Sequence, residues 1–138
     1  MTTTGGTVTV LLVEDEPLLR GAFRTLLEVS GYRVLEAGTA AEALERVAAG
    51  RPDLILLDLG LPDGNGLQVA RVLHEQEETR NLPIVAMTGR SGSGTARDCA
   101  DAGCIDHLIK PIKPRDLVRR IPTWLEQSAT GGPAGTPA

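Results

Sequence analysis

The sequence predicts an α/β fold, a five-stranded parallel sheet doubly wound by helices on both faces. Three observations carry this. Strand-length apolar runs alternate five times with stretches of helical period. Several runs are apolar at consecutive positions, as in parallel strands covered on both sides. Polar residues stand at the ends of the runs, where an open parallel sheet gathers its ligand groups.

The first run is "VTVLLV" (8–13), which meets Glu14, Asp15, Glu16 and Pro17. Leu19, Ala22, Phe23, Leu26 and Leu27 then recur at helical spacing, and Gly31 is placed to cap that helix at its C-terminus. "YRVLEA" (32–37) is the second strand. The second helix carries Ala40, Ala43, Leu44 and Val47, opens on a capping box of Thr39 and Glu42, and closes at Gly50. "DLILLD" (53–58) ends on Asp58 and precedes a helix marked by Leu67, Ala70 and Leu73. "PIVAMT" (83–88) ends on Thr88 and precedes a weaker helix with Ala96, Cys99 and Ala100, stopped by Gly103. "HLIK" (107–110) ends on Lys110. The last helix follows Pro114 and carries Leu117, Val118, Ile121, Trp124 and Leu125. Pro122 lies inside it, removes the bond to the Val118 carbonyl and is expected to kink the helix. Right-handed crossovers leave few topologies for such an order.

These elements fill residues 7–127, one domain between an expected flexible N-terminus (1–6) and an expected disordered Gly/Pro/Ala tail (128–138). Aromatics are 2% of 138 residues, so Leu, Val, Ile and Ala must build the core. A net charge of −4 argues against nucleic acid or an anionic membrane as a direct partner. No apolar run reaches membrane length and no secretory leader is present, so a cytoplasmic location is expected. Cys99 and Cys104 read as free thiols, Trp124 as helix-face packing and His74 as solvated.

The strand ends carry the chemistry. Glu14 and Asp15, Asp58, Thr88 and Lys110 all come to one edge of an open parallel sheet. Taken singly, the acids at 14–16 are a solvated helix start, Asp58 a turn cap, Thr88 a strand residue and Lys110 a surface charge. Together they put three carboxylates around one point, which calls for a cation. An all-oxygen set without His or Cys favours a hard ion, Mg²⁺ or Mn²⁺. A lysine and a hydroxyl beside it suit phosphoryl oxygens, and Asp58 can attack phosphorus.

The motifs "LLVEDEP", "DLILLDLGLPDGNG", "PIVAMTGR" and "AGCIDHLIKPI", in that order and on those elements, resemble the receiver domain of two-component response regulators. The resemblance implies a flavodoxin-like (βα)5 receiver fold; Met1 and the low-complexity tail favour the stand-alone type over a receiver cut from a larger hybrid kinase or transcription factor. It implies that Asp58 is the phosphoacceptor, that Asp15, Glu14 and the Gly60 backbone carbonyl join Asp58 around the metal, and that Thr88 and Lys110 bind the phosphoryl group. It also implies a cis Lys110–Pro111 bond and places Gly60 and Arg90 at the two positions that tune phosphate lifetime. His107 departs from the pattern: it stands where the family often has Tyr or Phe as a switch residue, and an imidazole there changes charge with pH. Glycines in "TGRSGSGTA" (88–96) suggest a mobile start to the fourth helix.

The expected partners are a sensor histidine kinase or histidine phosphotransfer protein and a downstream target. The target would be read through the face of the fourth helix, fifth strand and fifth helix, by a monomer or a phosphorylation-dependent dimer. No DNA-binding output domain is expected, and no enzymatic activity beyond the protein's own phosphorylation and dephosphorylation. A haloacid-dehalogenase-type phosphatase would need a second Asp at position 60, where Gly60 stands. A flavin carrier would need a phosphate-cradling loop after the first strand, where the acids stand.

Overall fold

The structure, a computed structural model, describes residues 7–89 and 93–130. Residues 1–6, residues 90–92 with Arg90 and the middle of the glycine-bearing loop, and the tail from 131 onward lie outside the described residues. The elements run β1 (Thr9–Val13), α1 (Pro17–Val29), β2 (Arg33–Ala37), α2 (Ala40–Ala49), β3 (Leu54–Asp58), β4 (Gly60–Leu61), β5 (Gly64–Asn65), α3 (Gly66–Glu75), β6 (Ile84–Thr88), α4 (Ser93–Asp101), β7 (Asp106–Ile109) and α5 (Pro114–Thr130). The five longer strands form one parallel sheet in the order β2-β1-β3-β6-β7. The chain crosses from one side of the sheet to the other between β1 and β3, which makes their carboxyl ends the switch point. A two-stranded antiparallel ribbon, β4 with β5, was not foreseen, since two-residue strands carry no readable period.

The consecutive apolar residues divide between two cores. Leu11, Val13, Ile55, Leu57 and Ala86 pack with Ala43 and Val47 of α2, the buried side of α3, and Cys99 of α4. Val10, Leu12, Leu54, Leu56, Val85 and Met87 pack with Phe23 and Leu27 of α1 and with Leu117, Ile121 and Trp124 of α5. Alternation along each strand therefore buries both faces, which is why the strands look uniformly apolar.

Local chemistry sets the helix ends. Gly31 has φ +99°, with Gly31 N–H donating to the Glu28 carbonyl and Tyr32 N–H to the Leu27 carbonyl, a Schellman ending. Gly103 (φ +101°) ends α4 in the same way, through Gly103 N–H to Ala100 and Cys104 N–H to Cys99. At the start of α2 the Thr39 hydroxyl accepts from Glu42 N–H at 3.0 Å. The Glu42 carboxylate reaches back to Gly38 N–H at 2.7 Å, one residue beyond the usual capping-box partner. Asp63 adds a cap from another part of the chain, accepting from Ala40 and Ala41 N–H at 2.7 and 3.1 Å. Those two bonds hold its carboxyl below the ordinary carboxylate range.

α5 continues across Pro122 to Thr130, three residues past the expected end of the domain. Buried Ile121 and Trp124 hold the helix on either side of the lost bond. Cys99 and Cys104 are free thiols, and burial pushes the Cys104 thiol up to about 12. His74 is exposed but lies over Gly103, where an added Cβ would stand 2.7 Å from its ring.

Candidate functional site

A cleft of about 970 Å³ opens at the carboxyl ends of the sheet, lined by Glu14, Asp15, Asp58, Gly60, Thr88 and Lys110 among others. The register explains the convergence. Val13 pairs with Leu57, so the next residue of each strand places Glu14 and Asp58 side by side. Thr88 pairs with Ile109, and Lys110 N–H donates to the Thr88 carbonyl at 2.7 Å, which carries Lys110 past the sheet edge into the cleft. The Lys110–Pro111 peptide bond is cis, as the resemblance implied.

Asp58 is 4% exposed and Glu14 1% exposed, whereas Asp15 is open to solvent. One oxygen from each of the three carboxylates lies within 4.8 Å of the others. Like charges about 4 Å apart repel by roughly 4 kcal/mol at an effective dielectric of 20. Lys110 offsets part of that: its Nζ stands 3.1 Å from Glu14 Oε1 and 3.3 Å from Asp58 Oδ1. Burial holds the Glu14 carboxyl above its ordinary range, opposed by Lys110 and by Glu16 N–H, and reinforced by the charge of Asp58. Burial works against the Lys110 ammonium, but the hydrogen bond to Glu14 and the charges of Asp58 and Glu14 outweigh it and hold it above its usual value.

Glu16 separates from this group. Its carboxylate caps α1 by accepting from Leu19 N–H at 3.1 Å, with Pro17 as the first helical residue. The Gly60 N–H donates to Asp58 Oδ1 at 3.1 Å and orients the carboxylate. Thr88 is buried at the end of β6 and lines the cleft. His107 is half-buried on β7 and is not among the cleft-lining residues; strand alternation sets it on the face opposite Leu108.

Three contributors were not singled out from the sequence. Asp98 of α4 lines the mouth of the cleft. Gly66 opens α3 against Asp58, where an added Cβ would lie 2.5 Å from the Asp58 carbonyl oxygen. Arg20 donates from Nη1 to the Glu14 carbonyl at 2.9 Å. Only Gly66 left a trace, as the last residue of "DLGLPDGNG".

The donor set fits a hard divalent cation: three carboxylates converge, two are buried, and neither nitrogen nor sulfur ligands accompany them. Among the described residues no helix is long and apolar enough to cross a membrane.

Comparison with known proteins identifies the family and the fold. Residues 10–122 match the family described as the response regulator receiver domain. The chain is 35% identical over 119 residues to the polar-differentiation response regulator DivK of Brucella ovis, covering 86% of this chain and 97% of that protein. DivK of Brucella anthropi is also 35% identical, over 116 residues. A CheY-like receiver domain protein from Methanospirillum hungatei superposes with a TM-score of 0.85 at 27% identity, covering 92% of this chain and all of that one. The receiver domain of a Pseudomonas aeruginosa sensor histidine kinase, solved with a magnesium ion in its active-site cleft, gives a TM-score of 0.80 at 33% identity, covering 88% and 99%.

Proposed function

The chain belongs to the response regulator receiver domain family of two-component systems, and on that premise we propose that it is a phosphorylation-dependent signalling switch whose phosphoacceptor is Asp58. The observation that carries this reading is a buried carboxylate with a lysine at 3.3 Å, in a cleft where two further acids offer oxygens to the same point. The donor is a phosphohistidine on a sensor histidine kinase or a histidine phosphotransfer protein. An Asp58 carboxylate oxygen attacks phosphorus, the P–N bond breaks as the P–O bond forms, and an acyl phosphate is left on the protein.

Glu14, Asp15, Asp58 and the Gly60 carbonyl would hold Mg²⁺ or Mn²⁺, which supplies charge neutralisation for the transferring group. Lys110 is placed to donate to a phosphoryl oxygen, since its Nζ already contacts Asp58 Oδ1. The Thr88 hydroxyl takes a second oxygen, and that movement re-sets the face made by α4, β7 and α5, with His107 as the accompanying side chain. Ile109 on this face is 45% exposed, apolar surface that a target protein can cover. A bare Gly60 beside Asp58 leaves room for an attacking water, since a Cβ there would stand 3.9 Å from Asp58 Oδ1, and Arg90 is proposed as its counterpart in setting phosphate lifetime.

The receiver elements fill the described residues, and the proposed output of this domain is protein contact in the cytoplasm. The activity proposed is the protein's own phosphorylation and its own dephosphorylation. The test is intact mass after incubation with acetyl phosphate and Mg²⁺. Wild type should gain one phosphoryl group and Asp58→Asn none. An unchanged wild-type mass, or uptake by Asp58→Asn, defeats the proposal.

A further inference from the structure

We propose that Arg20 is a positioning residue of the metal site, acting from behind through the main chain of Glu14; this rests on the reading of Glu14 and Asp15 as metal ligands. Three residues, Glu14–Glu16, separate the end of β1 from the start of α1; sheet and helix bonding reach the Glu14 N–H and the Glu16 carbonyl, while the Glu14 carbonyl goes to a side chain. The Glu14 N–H is held by the Ala37 carbonyl at 2.9 Å. The Glu14 carbonyl accepts from Arg20 Nη1, also at 2.9 Å. That carbonyl belongs to the planar peptide that leads into Asp15, so holding it sets the direction in which the Asp15 side chain leaves the backbone. One guanidinium therefore orients both acids while touching neither carboxylate.

Arg20 is itself held in place. Its Nε lies 3.1 Å from Glu36 Oε1, and the other Glu36 oxygen takes Arg24 Nη1 at 3.1 Å. Arg46 Nε holds the Glu36 carbonyl at 3.0 Å. Gly38 leaves room for the guanidinium: a Cβ there would stand 3.0 Å from Arg20 Nη1. Arg20 is absent from the cleft lining, which separates it from a ligand or phosphate contact. Outer partners of this kind commonly change metal affinity about 10- to 100-fold when removed.

Arg24 supplies the control, because it shares the Glu36 carboxylate with Arg20 and has no bond to Glu14. The experiment is calorimetric titration of the full chain with MgCl₂, alongside thermal melts in EDTA. Arg20→Ala should weaken Mg²⁺ binding about tenfold or more, and Arg24→Ala should stay within about twofold of wild type. Arg20→Lys should recover part of the loss, since an ammonium keeps the charge but lacks the fork that spans Glu14 and Glu36. Should Arg20→Ala fail to fold, Gly38→Ala, which crowds the guanidinium without removing it, should still weaken Mg²⁺ binding.

Equal melting losses in Arg20→Ala and Arg24→Ala with unchanged Mg²⁺ affinity would mean a purely structural role and overturn the inference. So would an unfolded Arg20→Ala with wild-type affinity in Gly38→Ala. A wild-type chain that binds no Mg²⁺ overturns the metal-site reading itself, a result distinct from failure of the Arg20 role alone.

Discussion

Glu14 is the most constrained acid of the site: nearly fully buried, bonded to Lys110 at 3.1 Å, and facing Asp58. Because its folded pKa lies above the unfolded 4.5, folding favours the protonated form. The associated stability is present below about pH 4.5 and is lost as pH rises through the folded value. Metal-free protein should therefore lose stability across that window, and Glu14→Gln should flatten the loss. Urea melts in EDTA between pH 4 and 7 check this, and a Glu14→Gln profile parallel to wild type would contradict it. Gly66 is constrained by space rather than charge. A methyl group there meets the Asp58 carbonyl oxygen at 2.5 Å and the Leu59 Cα at 3.0 Å, both backbone atoms. Gly66→Ala should cost about 1–3 kcal/mol and slow phosphoryl uptake by displacing Asp58. Wild-type uptake in that variant would show that the strand end can yield. Partners of Glu14 lie outside "VEDEP": Lys110, 96 residues away, was legible only through the strand end it stands on, and Arg20, which acts on Glu14 from the next helix, was not legible.

At the scale of elements, side chains join what backbone bonds do not. Asp106 on β7 accepts at Oδ2 from both Trp124 Nε1, at 3.0 Å, and Arg120 Nη2, two residues of α5. Arg120 also lies over the indole, 5.5 Å from the ring centroid. This arrangement fastens α5 to the edge strand beside His107 and holds the helix through Pro122. Trp124→Phe keeps the buried ring but removes one donor from a half-buried carboxylate, and should cost about 1–2 kcal/mol in denaturant melts. A change below a few tenths would mean that Arg120 alone suffices. The helix ends were legible from sequence because Gly31 and Gly103, which stop α1 and α4, and Thr39, which starts α2, act on neighbours within five residues. The second cap of α2 was not, because Asp63 arrives from 23 residues away along the chain.

For the molecule as a whole, the three carboxylates are a concentrated charge that Lys110 only partly offsets, so a divalent cation should stabilise the fold. At about one hundred times its Kd, Mg²⁺ adds about 2.7 kcal/mol, roughly 10 °C in melting temperature for a domain of this size. Asp15→Ala should remove most of that gain with little change in the EDTA melt, since Asp15 is exposed and outside the core. A wild-type melt indifferent to millimolar Mg²⁺ would contradict the account of the cleft. The sequence by itself determined the α/β class, the five parallel strands, the two-sided burial and the five polar strand-end residues of the cleft, because periodicity and strand ends are local properties of the chain. Tertiary structure alone decided the β2-β1-β3-β6-β7 order, the register that sets Glu14 beside Asp58, and the contacts of Arg20, Asp63 and Gly66. The physical reason is reach: a bond or contact a few ångströms long between residues far apart in sequence exists only once packing has brought the backbones together.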